Sequence, residues 1–150
     1  MHKETANEKQ IAGDHYKSEY QHWDFVIALK MHYLAGCATK YLARYKKKNG
    51  LEDIKKSRHY VEKMIEEKIK PIELWNPTLV QANLRLFKEK NDLKGYAYIA
   101  IESIALDNLK QALEIIDTLI EQYSRPHEDN TGMKHPFGFN AEEEVCSGNS

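Results

Sequence analysis

Apolar residues recur at spacings of three and four through most of this 150-residue chain, the period of helices that each turn one face inward. The run from His22 to Met31 carries Phe25, Val26, Ile27, Leu29 and Met31 and predicts a short helix. Tyr33, Leu34, Cys37, Ala38, Tyr41, Leu42 and Tyr45 predict a second, and no decisive breaker separates the two. Asn49-Gly50 is a stop, because glycine accepts positive φ just past a helix and asparagine nearly does. A third helix runs from Leu51 to about Ile69, striped by Leu51, Ile54, Val61, Ile65 and Ile69 and closed by Pro71. So short a turn makes residues 32–69 an antiparallel hairpin.

Asn76-Pro77 opens another helix, with an N-cap followed by proline at the first helical position. Its core face is Leu79, Val80, Leu84, Leu86 and Phe87, and Asn91-Asp92 ends it. From Leu93 to about Tyr123 the apolar pattern is the longest in the chain. It is wider than one helical neighbour covers, which suggests packing against a second subunit. No segment reads as a strand. The expectation is an all-α protein, a hairpin extended into a small four-to-five-helix bundle and oligomeric. Residues 1–13 are expected to be a flexible arm, 14–70 a hairpin module, 71–125 a C-terminal helical pair, and 126–150 a disordered acidic tail.

Charge changes this picture more than composition does. Between Lys30 and Lys70 there are twelve basic and five acidic residues, a net of +7, whereas Ala97 to Ser150 carries three basic and ten acidic, a net of −7. Overall neutrality therefore hides an asymmetry that suits an anion site in the first part or attraction between the halves. Nine tyrosines against four phenylalanines and two tryptophans mean that many rings carry a hydroxyl in need of a partner. Two cysteines, Cys37 and Cys146, make no disulfide framework, and the opening MHKETANEKQ does not read as a signal peptide. No stretch has the length and apolarity of a membrane span. A reducing cytoplasm is the expected location.

Lys40 and Arg44 stand four apart on one predicted helix face, Cys37 lies one residue off that line, and Lys47 extends it. Arginine offers phosphate oxygens a planar fork and lysine a mobile point charge. The same residues also read as a solvated basic face near a helix C-terminus, where the dipole already favours cations. Asp53 opens the next helix and serves either as a capping-region charge or to orient Arg44 or hold magnesium. Lys55, Lys56, Arg58 and His59 continue the positive surface, and Tyr60 is placed to stack on a base or to sit at the rim of the core. His15 and Tyr16 precede any periodic element, where no core demand explains them.

Other chemistries lack their residues. No glycine-rich loop ends in Lys-Ser or Lys-Thr, and no Gly-x-Ser-x-Gly elbow occurs. No two histidines pair with cysteine or an acid at metal-ligand spacing, so no protein-bound metal is expected. Helical nucleotide pyrophosphohydrolases need paired acids, a Glu-x-x-Glu followed by a Glu-x-x-Asp; Glu114 with Asp117 has the second spacing, but Glu62 with Glu66 does not have the first. The hairpin lacks the pattern of a DNA-reading helix, although its lysine run could touch a phosphate backbone.

His15-Tyr16, Gly36, Lys40-Tyr41, Arg44, Lys46 to Lys48, Leu51, Asp53, Lys55-Lys56 and Tyr60 together resemble a small phage family, catalogued as a domain of unknown function. That family includes the nucleotide kinase of short-tailed coliphages that lacks a Walker motif. The resemblance covers about residues 13–69; Cys37 stands where the family usually has asparagine, and the chain after Pro71 is unlike it. It implies phosphoryl transfer from a nucleoside triphosphate to a (deoxy)nucleoside monophosphate in an oligomer. Lys40, Arg44 and Lys47 would then supply charge to the transferring oxygens, and Asp53, catalytic with Lys40 and Arg44, would orient one of these cations, with magnesium brought by the nucleotide. His15, Tyr16, Cys37, Tyr41, Lys47, Lys56 and Tyr60 would complete the ligand site. The competing expectations are a helical oligomer that sequesters a host signalling nucleotide without turnover, an anti-defence role, and a helical adaptor.

Overall fold

The computed structural model describes residues 2–9, 11 and 18–125, and among these the fold is all-α with no β-sheet. Six α-helices run in order: α1 (His22–Leu29), α2 (Tyr33–Arg44), α3 (Leu51–Glu66), α4 (Pro77–Lys90), α5 (Gly95–Ala105) and α6 (Leu109–Ser124). A 3-10 turn, Tyr45–Lys47, continues α2. The α2–α3 hairpin packs on the α5–α6 hairpin, α2 against α5 and α3 against α6, which closes a four-helix bundle. Helices α1 and α4 pair with each other and lie against α2 and α5. Among the described residues no helix is long and apolar enough to cross a membrane.

Three boundaries depart from the sequence pattern, each through a residue in the left-handed region. Lys30 (φ 50°) ends α1, and the chain there pairs with residues 71–74: His32 N–H donates to Pro71 O at 2.8 Å and Glu73 N–H to Lys30 O at 3.1 Å. His32 then caps α2 by accepting from Leu34 N–H. The two short helices are thus separate. Lys68 (φ 53°) stops α3 at Glu66, three residues before the expected Ile69, with Ile69 N–H closing on Met64 O at 2.9 Å.

The third departure corrects the bundle itself. The run from Leu93 to Tyr123 is two helices, because Asp107 (φ 59°) turns the chain and Asn108 N–H donates to Ser103 O at 2.8 Å. Folding back buries the wide apolar face within the chain: α5 buries Tyr96, Ala97, Ala100, Ile101, Ile104 and Ala105, and α6 answers with Ala112, Ile115, Ile116 and Leu119. The described residues therefore form six α-helices, four of them closing the expected small bundle, and the width of that run no longer argues for a second subunit. The expected starts and stops at Asn49-Gly50, Asn76-Pro77 and Asn91-Asp92 all hold, Asn76 accepting from Thr78 N–H and Leu79 N–H.

Candidate functional site

The α2–α3 turn sets the geometry of the site. Gly50 has φ 53°, and a Cβ there would stand 2.8 Å from the Tyr123 hydroxyl, so the turn is pressed against the end of α6. Three residues into α3, Asp53 has no solvent exposure. Its carboxylate accepts from Arg44 Nε at 3.3 Å and Nη2 at 3.5 Å, and from the Asn49 N–H at 3.3 Å. A buried carboxylate needs such partners. Of the three roles open to Asp53 in the sequence (a capping-region charge, orienting Arg44 or holding magnesium), this arrangement fits orienting Arg44.

The Arg44 side chain is mostly buried, and its guanidinium lies 4.6 Å from the centre of the Tyr41 ring. Tyr41 and Tyr60 stack nearly parallel across the two helices, 5.9 Å apart at 17°. Lys56 places its ammonium 5.6 Å from the Tyr41 ring and pairs with Glu52 at 3.3 Å, both groups remaining substantially exposed. Beside these rings an open depression of about 690 Å³ is lined by Tyr41, Leu51, Glu52, Lys55, Lys56, His59 and Tyr60. Aromatic faces and mobile cations therefore converge on one surface of the hairpin.

Cys37 extends that surface towards the start of α2. Its hydrogen bond is the first cause that raises the Tyr33 phenol above the ordinary tyrosine range, and negative charge on its sulfur is the first cause that raises Tyr60. Tyr33 is 73 % exposed, so it is a ring that packing does not require there. The sequence pattern did not single it out as a ligand contact, although Tyr33, Cys37 and Tyr41 repeat at four-residue spacing. Glu52 and Leu51 were likewise not singled out as ligand contacts.

Lys40 faces another neighbourhood. It is exposed, does not line the depression, and is close enough to His22 to push that imidazole down. Burial is the larger cause, and together they bring His22 to about 4. Lys47 is exposed in the 3-10 turn, so the α-helical spacing from Lys40 and Arg44 is not kept. Arg58 bonds both Glu62 and Asp117, tying α3 to α6 and engaging one member of each acidic pair. Among the described residues no group of three or more His, Cys, Asp or Glu is arranged to hold a metal. His15 and Tyr16 lie outside the described residues, as does the segment 126–150.

Residues 11–62 match a family described as a protein of unknown function, DUF3310. The match takes in α1, α2 and all but the last turn of α3, and so contains the whole depression. It agrees with the small phage helical family that residues 13–69 resemble. Neither the curated proteins nor the solved structures contain a significant match to the chain.

Proposed function

We propose that this protein binds a nucleotide on the outer face of its α2–α3 hairpin. The observation that carries the reading is the stacked Tyr41–Tyr60 pair with Arg44 and Lys56 both drawn to the Tyr41 ring. A base has a π-face that a tyrosine ring accepts, and stacking contributes about 1–3 kcal/mol per base. The phosphates lie on Lys55 and Lys56, and Arg44, which does not line the depression, adds charge from beside Tyr41, its fork held in place by Asp53. Lys40 and Lys47 add charge from the flanks, and magnesium arrives as the counter-ion of the nucleotide.

Kinase activity is the finer form of this reading, and the family resemblance supports it. The γ-phosphoryl group of a triphosphate passes to a phosphate oxygen of a (deoxy)nucleoside monophosphate, leaving a diphosphate. That acceptor oxygen is already anionic, so no general base is needed and positioning with cations suffices. Burial of Asp53 is therefore no obstacle. The same contacts serve a protein that sequesters a host signalling nucleotide unchanged.

Calorimetric titration with nucleoside mono-, di- and triphosphates at low salt tests the reading. Binding is expected, weakened about tenfold or more by Tyr60→Ala, and weakened with a shallower salt dependence by Lys55→Gln with Lys56→Gln. Absence of heat across the whole panel, cyclic nucleotides included, would end it. Consumption of triphosphate that depends on added monophosphate identifies the kinase; recovery of intact ligand after stoichiometric binding identifies the sequestering protein.

A further inference from the structure

Helix α6 runs antiparallel to α3. Arg58 meets Asp117 in mid-helix, and the Tyr123 ring sits edge-on to Tyr45, 5.8 Å away at 79°, over Gly50. The chain therefore leaves α6 at the mouth of the α2–α3 hairpin, next to the exposed Lys47 and Lys48. Beyond α6 the sequence has a telling order: Phe137-Gly138-Phe139, then Asn140-Ala141, then Glu142-Glu143-Glu144. Two aromatic rings precede three carboxylates, as a base precedes phosphates in a nucleotide. Residues 126–150 hold five acids and one lysine, a net of −4 opposite the positively charged hairpin.

We propose that the segment Phe137–Glu144 docks in the Tyr41–Tyr60 depression of its own chain, its phenylalanines on the tyrosine rings and its glutamates on Lys55 and Lys56. This inference rests on the reading of that depression as a site for an aromatic anion, and makes the segment a built-in competitor for it. Reach is ample. From Gly50 to Tyr60 along α3 is ~15 Å, while the residues between Arg125 and Phe137 extend to ~40 Å. A tether of that length holds the segment at an effective concentration of about a millimolar. Even a weak contact is then populated, and a nucleotide has to displace it.

The test uses the full chain. Zero-length carbodiimide coupling is expected to join Glu142, Glu143 or Glu144 to Lys55 or Lys56 within one copy, and excess ATP is expected to suppress those links. A variant carrying Phe137→Ala, Phe139→Ala, Glu142→Gln, Glu143→Gln and Glu144→Gln changes no residue of the helices. It is expected to bind ATP at least threefold more tightly than the unaltered chain. ATP binding by both proteins with equal affinity overturns the proposal whether or not links form, and leaves the nucleotide reading intact. Links found only between copies overturn it as well. Links within a copy, with ATP bound by neither protein, keep the segment as the occupant and remove the nucleotide reading alone.

Discussion

The two hairpins of the bundle do the same structural work with different surfaces. In α5–α6 almost every apolar side chain is turned to the core, and between Gly95 and Ser124 the only basic residue is Lys110. In α2–α3 the core face is thinner: Ala35, Ala38, Leu42, Ile54, Val61 and Met64 suffice. The rest is Arg44, a chain of lysines and tyrosine rings left at the surface, with a buried Asp53 behind them. Packing alone explains the second hairpin. It leaves the first with a surplus of cations and rings, and a surplus of that kind is what a ligand surface requires.

The largest expected effect lies in the second hairpin and touches no ligand. Ile101 is fully buried between α5 and its neighbours. Ile101→Ala should destabilise the fold by about 4 kcal/mol through lost burial and a residual cavity. Denaturant unfolding measures the loss, and nucleotide affinity at a temperature where the variant is folded should be unchanged. A change in affinity without a change in stability would erase the division of labour between the hairpins.

Asp53→Asn makes the matching cut in the first hairpin. Removing the charge leaves Arg44 partly buried with a weaker partner, a loss of about 3 kcal/mol. Unlike Ile101→Ala, it should also weaken phosphate binding, because the guanidinium is no longer held. Unaltered stability together with unaltered binding would show that Asp53 is an ordinary first-turn acid.

Much of this contrast was legible before the fold was known. The stripe through Tyr41 and Arg44, the Asn49-Gly50 turn and an acid three residues beyond it are local features, so Arg44 and Asp53 could be paired from spacing alone. The missed features depend on distant parts of the chain or on backbone states with weak residue preference. Lys30 ends α1 because residues 71–74 return to pair with it, and nothing near Lys30 encodes that return. Asp107 divides α5 from α6 by adopting positive φ within an unbroken apolar period. Lys40 looked equivalent to Arg44 on a helical wheel, yet α1 comes to lie beside it and gives it His22 as a neighbour. Tyr33 was legible and passed over: its spacing to Cys37 and Tyr41 placed it on the same stripe.

His22 sharpens the comparison from behind the site, by pH. Its Nε2 lies 2.8 Å from Thr39 Oγ1, and the Thr39 hydroxyl has the Ala35 carbonyl at 2.9 Å and the Gly36 carbonyl at 3.2 Å to donate to, which leaves its oxygen to accept from Nε2–H. Phe87 covers the ring at 5.8 Å. Burial, aided by Lys40, brings the folded value to about 4, whereas an unfolded histidine titrates near its ordinary 6.5. The unfolded chain thus takes up the proton first as pH falls. Stability contributed by neutral His22 is complete above ~6.5 and is lost progressively down to about 4, a loss on the order of 2 to 3 kcal/mol. Residues 95–124 contain no histidine, so this acid sensitivity belongs to the side of the bundle that α2 and α1 build. Unfolding curves of the unaltered chain and His22→Gln, collected from pH 7.5 to 4, should converge as the pH falls. Parallel curves would mean that His22 carries its proton in the folded protein, with Lys40 too far away to oppose it.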